Sequence, residues 1–291
     1  MVKNKLRRKG IMEVNNYGRS VAYRTFSETL NELRGQSGVT EIGFRDAWRA
    51  RLHADERLTT NGWYDPPAEG MAVLFADEID VRRVCFESLR LEAFGPSNRV
   101  IDWERGLMYG YCSPVDRQTG LAGDFGVTLY FGTNSDMIEY FRKCSAVTQD
   151  LLAGIDSSMT STALFQHSEK LFDAVGLRNT IASVTDSVPL DLGHSMPSVE
   201  VEAVAESRVL PQWAKDSMRA SRRFVGTSSN WPLSDTFQFT VEPQLVDPER
   251  PESPKVSFHY VVSVRAGTVT VLREGEQLLA ELGLIRDLGA R

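Results

Sequence analysis

Three separated segments share a pattern that restricts the fold sharply: an apolar strand with one ionisable side chain on its less hydrophobic face. In GDFGVTLYFG (123–132), Phe125, Val127, Leu129 and Phe131 point one way, and Asp124, Gly126, Thr128 and Tyr130 the other. In FQFTVE (237–242), Phe237, Phe239 and Val241 oppose Gln238, Thr240 and Glu242. In KVSFHYVVSV (255–264), Val256, Phe258, Tyr260, Val262 and Val264 oppose Ser257, His259, Val261 and Ser263. An unpaired charge inside a sheet is costly, so a cation shared by these strands would explain why each carries such a group. A fourth candidate, His194, lies in LDLGHSMP (190–197), where Gly193 and Pro197 impose an irregular backbone able to aim the imidazole inwards. The other two of the four histidines, His53 in RLHADER and His167 in FQHSEK, read as surface positions.

The rest of the chain alternates helices and strands in two similar runs. Ala22, Phe26, Leu30 and Leu33 form one helical stripe, stopped by RGQSG. Thr40 offers an N-cap to a second helix carrying Phe44, Trp48 and Leu52. After the loop NGWYDPPAEG come strands at 71–76, 106–113 and 123–132. The second run has a stripe of Met137, Phe141, Cys144, Val147, Leu151 and Ile155. A helix with Leu164, Leu171, Phe172 and Val175 follows, closed by Gly176 as its C′ residue. A further helix is expected over 212–224, then strands in TFQFTVEPQL, KVSFHYVVSV and GTVTVL. Proline-rich VDPERPESPK (246–255) is short enough for a hairpin loop. The prediction is an α+β domain over 20–291, built from two similar helix–helix–strand halves, with a flexible tip over 1–19. The aromatic residues of NGWYDPP (61–67) and WPLSD (231–235) either border a cleft or dimer contact, or simply pack in their loops.

Bulk properties narrow the function. With 291 residues, 42% of them hydrophobic, the chain can bury a sizeable core. A net charge of −6 argues against nucleic-acid or anionic-membrane partners. No stretch approaches the roughly 20 apolar residues of a membrane span. Three scattered cysteines make neither a disulfide framework nor a Cys-based zinc site, so a cytoplasmic protein is expected.

These motifs resemble the creatinase/aminopeptidase, or pita-bread, superfamily that includes methionine aminopeptidase and prolidase. GDFGVTLYFG is similar to the strand bearing that family's second metal aspartate, LDLGHSMP to its metal-histidine loop, and FTVEPQL to its FTIEPG strand. The resemblance covers roughly residues 20–280 and implies ligand roles for Asp124, His194 and Glu242. It also marks departures. The position of the first metal aspartate is Ser113, with Asp116 nearby but out of register. The final metal glutamate is replaced by His259, and both helper histidines are absent. Peptidase chemistry with a water bridging two metals is therefore not expected.

What remains, Asp124, His194, Glu242 and His259, suits one divalent first-row ion, iron(II) or manganese(II) before zinc or cobalt. The expected activity is redox-neutral cleavage of a C–N, C–O or C–S bond in a small carboxylate-bearing metabolite, by a homodimeric hydrolase or lyase. The competing readings are a non-haem iron oxygenase or oxidase and a non-catalytic binding module. Tyr111 and Tyr130 are the candidate catalytic hydroxyls, and Arg90 and Arg117 the candidate substrate anchors.

Overall fold

Helix α1 (Tyr17–Leu33) starts where Asn16 caps it, the side-chain oxygen accepting from Arg19 N at 3.0 Å. The structure, a computed structural model, describes residues 15–90, 95–180 and 190–285. Most of the tip expected to be flexible lies outside those residues, but 17–19 belong to α1. Helix α2 (Glu41–His53) opens at Thr40, which caps Gly43 N. The predicted stripes are buried: Phe26, Phe44 and Trp48 interlock with Phe125, the Phe26 and Trp48 rings meeting edge to face at 4.9 Å.

These helices cover an antiparallel sheet of β1 (Met71–Ala76), β2 (Leu107–Cys112) and β3 (Phe125–Tyr130), in that spatial order. Phe26 packs so closely on β2 that a Cβ at Gly110 would lie 2.6 Å from its ring. Glycine is required there by contact.

The second half repeats the plan. Helices α3 (Ser135–Ala153) and α4 (Ser161–Ala174) carry the predicted stripes, capped by Asn134 and Thr160. Gly176 ends the second of them at φ +67°, as a C′ glycine does. Then come β4 (Arg178–Thr180), a short α5 (Glu202–Ala205) and α6 (Gln212–Ser221). The last of these stops three residues before the predicted end, where Arg222 turns extended and, with Phe224, lines the cleft described below. Strands β5 (Gln238–Val241), β6 (Gln244–Val246), β7 (Val256–Ser257), β8 (Tyr260–Arg265) and β9 (Thr268–Leu272) form sheets β4-β6-β7 and β5-β8-β9, followed by α7 (Glu276–Glu281).

Local bridges knit these sheets together around the site. His259 N donates to Gly126 O and Ser257 N to Thr128 Oγ1, which places the β7–β8 chain beside β3. On the other flank, residues 192–196 run antiparallel to β5. Met196 N donates to Gln238 O, Thr240 N to His194 O and Glu242 N to Leu192 O. Sequence-distant ionisable groups thus become neighbours through ladder geometry alone.

The first half is locked by a buried ion pair. Glu41, fully buried, accepts from the Arg83 guanidinium, Phe75 N, Ser97 N and Ser97 Oγ. Removing one partner strands the other charge in the interior, which costs about 3–5 kcal/mol. Glu41→Ala should lower the unfolding free energy in urea by about that amount; a loss under about 1 kcal/mol would mean that the pair contributes no more than a surface one.

Candidate metal centre

Asp124 ends the loop into β3, His194 sits on the segment beside β5, Glu242 follows β5, and His259 lies between β7 and β8. The four converge. His194 Nε2 lies 3.7 Å from Asp124 Oδ2 and 3.5 Å from Glu242 Oε1, while His259 Nε2 lies 3.1 Å from Glu242 Oε2. Asp124, His194 and His259 are buried and Glu242 is half-buried. Among the described residues, no group of three or more His, Cys, Asp or Glu side chains is already arranged to hold a metal ion; these four stand in close pairs rather than in a finished cage.

Local hydrogen bonds set the orientations. His194 N donates to Thr240 Oγ1 at 2.8 Å, and the same hydroxyl donates to Glu242 Oε1 at 2.7 Å. His194 Nδ1 lies 3.1 Å from the Ser195 carbonyl oxygen. Burial pushes the Asp124 carboxyl up, and the neighbouring Glu242 charge adds to the effect. Burial also opposes ionisation of Glu242, but the His259 and His194 rings and the Thr240 hydroxyl outweigh it and hold that carboxyl below the usual range. For His194, burial dominates and lowers the imidazole pKa.

Two observations fit a cation here. Asp124 Oδ1 is buried without a hydrogen-bond partner, an expensive state that a bound ion would relieve. The Nε2 of a neutral His194 faces two carboxylate oxygens, an arrangement of electron pairs that something positive must join. The donor set of imidazole and carboxylates suits manganese, iron or zinc.

The groups open into a cleft of about 520 Å³, its mouth included, walled by Trp63, Tyr64, Phe86, Tyr109, Tyr111 and Phe224. Arg222 also lines it, its guanidinium about 5 Å from the Trp63, Tyr64 and Phe224 rings. The NGWYDPP aromatics therefore border the cleft. Trp231 of WPLSD instead packs on Phe239 in the core and donates to Phe224 O.

Of the other expected site residues, only Tyr111 is at the cleft. Burial pushes its hydroxyl pKa well up, with the Asp124 charge adding to the effect. Tyr130 stands at the far end of β3, about 20 Å along the strand, where its hydroxyl meets Glu78 and Asn134 N. Arg117 spends its donors on the carbonyls of Val204, Glu56 and Ala205, clamping α5 in place. Arg90 ends a 3₁₀ turn, and its side chain lies outside the described residues. Asp116 forms a bidentate pair with Arg57 and accepts from Thr119, so it does not stand in for a first metal aspartate. His53 is at the C-terminal end of α2 and His167 on α4, and neither lines the cleft.

Sequence reasoning missed Arg19, which is 2% exposed behind the site. Its Nη1 donates to Asp124 O at 2.9 Å and lies 3.1 Å from His259 Nδ1; its Nη2 donates to His259 O at 2.6 Å. The signal was available, because Arg19 extends the buried stripe of Ala22 and Phe26 by one turn.

Continuing the β2–β3 register places Ser113 opposite Asp124. There is no room there for a longer acid. Ser113 Oγ lies so near two glycine backbones that a Cβ at Gly62 would come within 2.3 Å of it, and one at Gly70 within 2.6 Å. Ser113→Asp should lower the melting temperature by several degrees, roughly the effect of about 1–3 kcal/mol of overpacking, and should add no second ion in equilibrium dialysis. Retention of the wild-type melting temperature with two ions bound would contradict the steric account.

No family model matches the chain, and no curated protein matches it by sequence. Solved structures do. The X-Pro aminopeptidase from Thermotoga maritima MSB8 aligns at a TM-score of 0.56 and 12% identity, over 88% of this chain and 58% of that one. The prolidase from Pyrococcus furiosus gives 0.56 and 11%, over 87% and 61%. The methionine aminopeptidase from Thermotoga maritima gives 0.57 and 14%, over 90% and 97%. The chain thus spans about three fifths of the X-Pro aminopeptidase and prolidase chains and nearly all of the methionine aminopeptidase. Together with the two helix–helix–strand halves, these alignments identify the α+β architecture as the pita-bread fold shared by prolidases, dipeptidases and methionine aminopeptidase.

Proposed function

We propose that this chain is a mononuclear metal-dependent enzyme, holding one divalent first-row cation, iron(II) or manganese(II), at Asp124, His194 and Glu242. The reaction is redox-neutral cleavage of a C–N, C–O or C–S bond in a small carboxylate-bearing molecule. The observation that carries this reading is the meeting, in one cleft, of three ionisable groups from three distant segments, with a buried carboxylate oxygen left unpartnered. Two carboxylates balance the charge of a dication. A bound ion would polarise a substrate oxygen and acidify a water molecule.

The chain's own groups do the rest. Tyr111 keeps its hydroxyl proton across the physiological range, so it acts as an O–H donor to the leaving group. Trp63 Nε1–H is buried at the cleft without a partner and offers a hydrogen bond to a substrate oxygen. Arg222 lies against the Trp63, Tyr64 and Phe224 rings and braces that wall of the cleft. The aromatic rings exclude water around a small apolar body. A peptidase is disfavoured, because neither His53 nor His167 reaches the cleft to act as a proton shuttle.

Titration of metal-free protein with Mn²⁺ by calorimetry tests this reading. One equivalent should bind, and His194→Ala or Asp124→Asn should weaken it by more than about a hundredfold, as loss of a direct ligand does. Stoichiometry near zero, or wild-type affinity in both variants, would remove the metal reading. Turnover that consumes dioxygen would move the enzyme to the oxygenase class.

A further inference from the structure

His194 and His259 are set up in opposite ways by the atoms that face their Nδ1 nitrogens. Nδ1 of His194 faces the Ser195 carbonyl oxygen at 3.1 Å. A carbonyl only accepts, so that nitrogen carries the ring proton and Nε2 keeps its electron pair. This is the posture of a ligating histidine, whose other nitrogen donates to an outer acceptor.

Nδ1 of His259 faces Arg19 Nη1 at 3.1 Å. A guanidinium has only donors and stays charged, so this Nδ1 must accept, and the ring proton sits on Nε2. The same contact excludes a doubly protonated ring, which would set two donors against each other. Arg19 is in no position to move aside. It also donates to Asp124 O, His259 O and Glu274 Oε2, and lies 2% exposed on the buried face of α1. A ring whose Nε2 carries hydrogen has no electron pair there to give a metal.

We propose that His259, at the position of a family metal glutamate, is not a ligand but an N–H donor locked in that tautomer by Arg19, and that it steadies Glu242 from behind. Its Nε2 is 3.1 Å from Glu242 Oε2 yet off the axis of a full hydrogen bond, and makes no other. His259 is therefore a positioning residue and Arg19 the group that sets its tautomer. The part of the proposal that concerns the ion rests on the metal reading above, whereas the tautomer does not.

Two measurements test it separately. Long-range ¹H–¹⁵N correlation spectra of the metal-free protein near pH 7.5 report which ring nitrogen of each histidine is protonated, with His259→Gln or His194→Gln spectra assigning the signals. The expected result is Nε2–H for His259 and Nδ1–H for His194. An Nδ1–H or doubly protonated His259 would overturn the proposal. In Mn²⁺ titration, His259→Gln, which retains an N–H donor, should stay within about tenfold of wild type, while His194→Gln should weaken binding by more than about a hundredfold. Equal losses in both variants would make His259 a ligand and defeat the proposal. Wild-type protein that takes up no Mn²⁺ would defeat the metal reading instead, and the ring spectrum would still decide His259. If His259→Gln does not fold, the wild-type spectrum, assigned with His194→Gln, decides alone.

Discussion

One buried guanidinium ties the first helix to the two strands on which the candidate site is built. Arg19 reaches from α1 to the carbonyls of Asp124 and His259, and Glu274 balances its charge at 3.2 Å. A cation held this deep stays only if its donors are satisfied, and here they are satisfied by the two segments whose side chains face the cleft. Helix packing and site geometry are thus one constraint. The helix cannot shift along the sheet without breaking the hydrogen bonds that place Asp124 beside His259.

The fold is that of prolidases, dipeptidases and methionine aminopeptidase, and two features bear on the charge at the candidate site. Ser113 stands opposite Asp124, and the Gly62 and Gly70 backbones press against it. His259 faces the charge of Arg19. Neither feature adds negative charge, so Asp124 and Glu242 are the carboxylates that the proposed reading sets against a single dication. Trp63, Tyr64 and Phe224 give the cleft an aromatic wall against which the Arg222 guanidinium lies.

Two helix boundaries and the apolar stripes were legible in the sequence because caps and periodicity are local: Thr40 and Gly176 act as their residue types predict. The convergence of Asp124, His194 and Glu242 was legible through strand alternation and the resemblance of their motifs. Partners at long range were not. Nothing near Arg117 shows that three carbonyls of other segments will absorb its donors, nor anything near Asp116 that Arg57 will claim it. Tyr130 shares a strand face with Asp124, yet alternation says nothing about distance along the strand. Arg19 was overlooked because the basic start of the chain was separated from the helix one turn too late.

The most direct test of the central claim is anomalous diffraction from crystals grown with Mn²⁺, with data collected on both sides of the manganese absorption edge. The account predicts one anomalous peak per chain, within coordinating reach of Asp124, His194 Nε2 and Glu242. Two peaks, or none in that cleft, would contradict it.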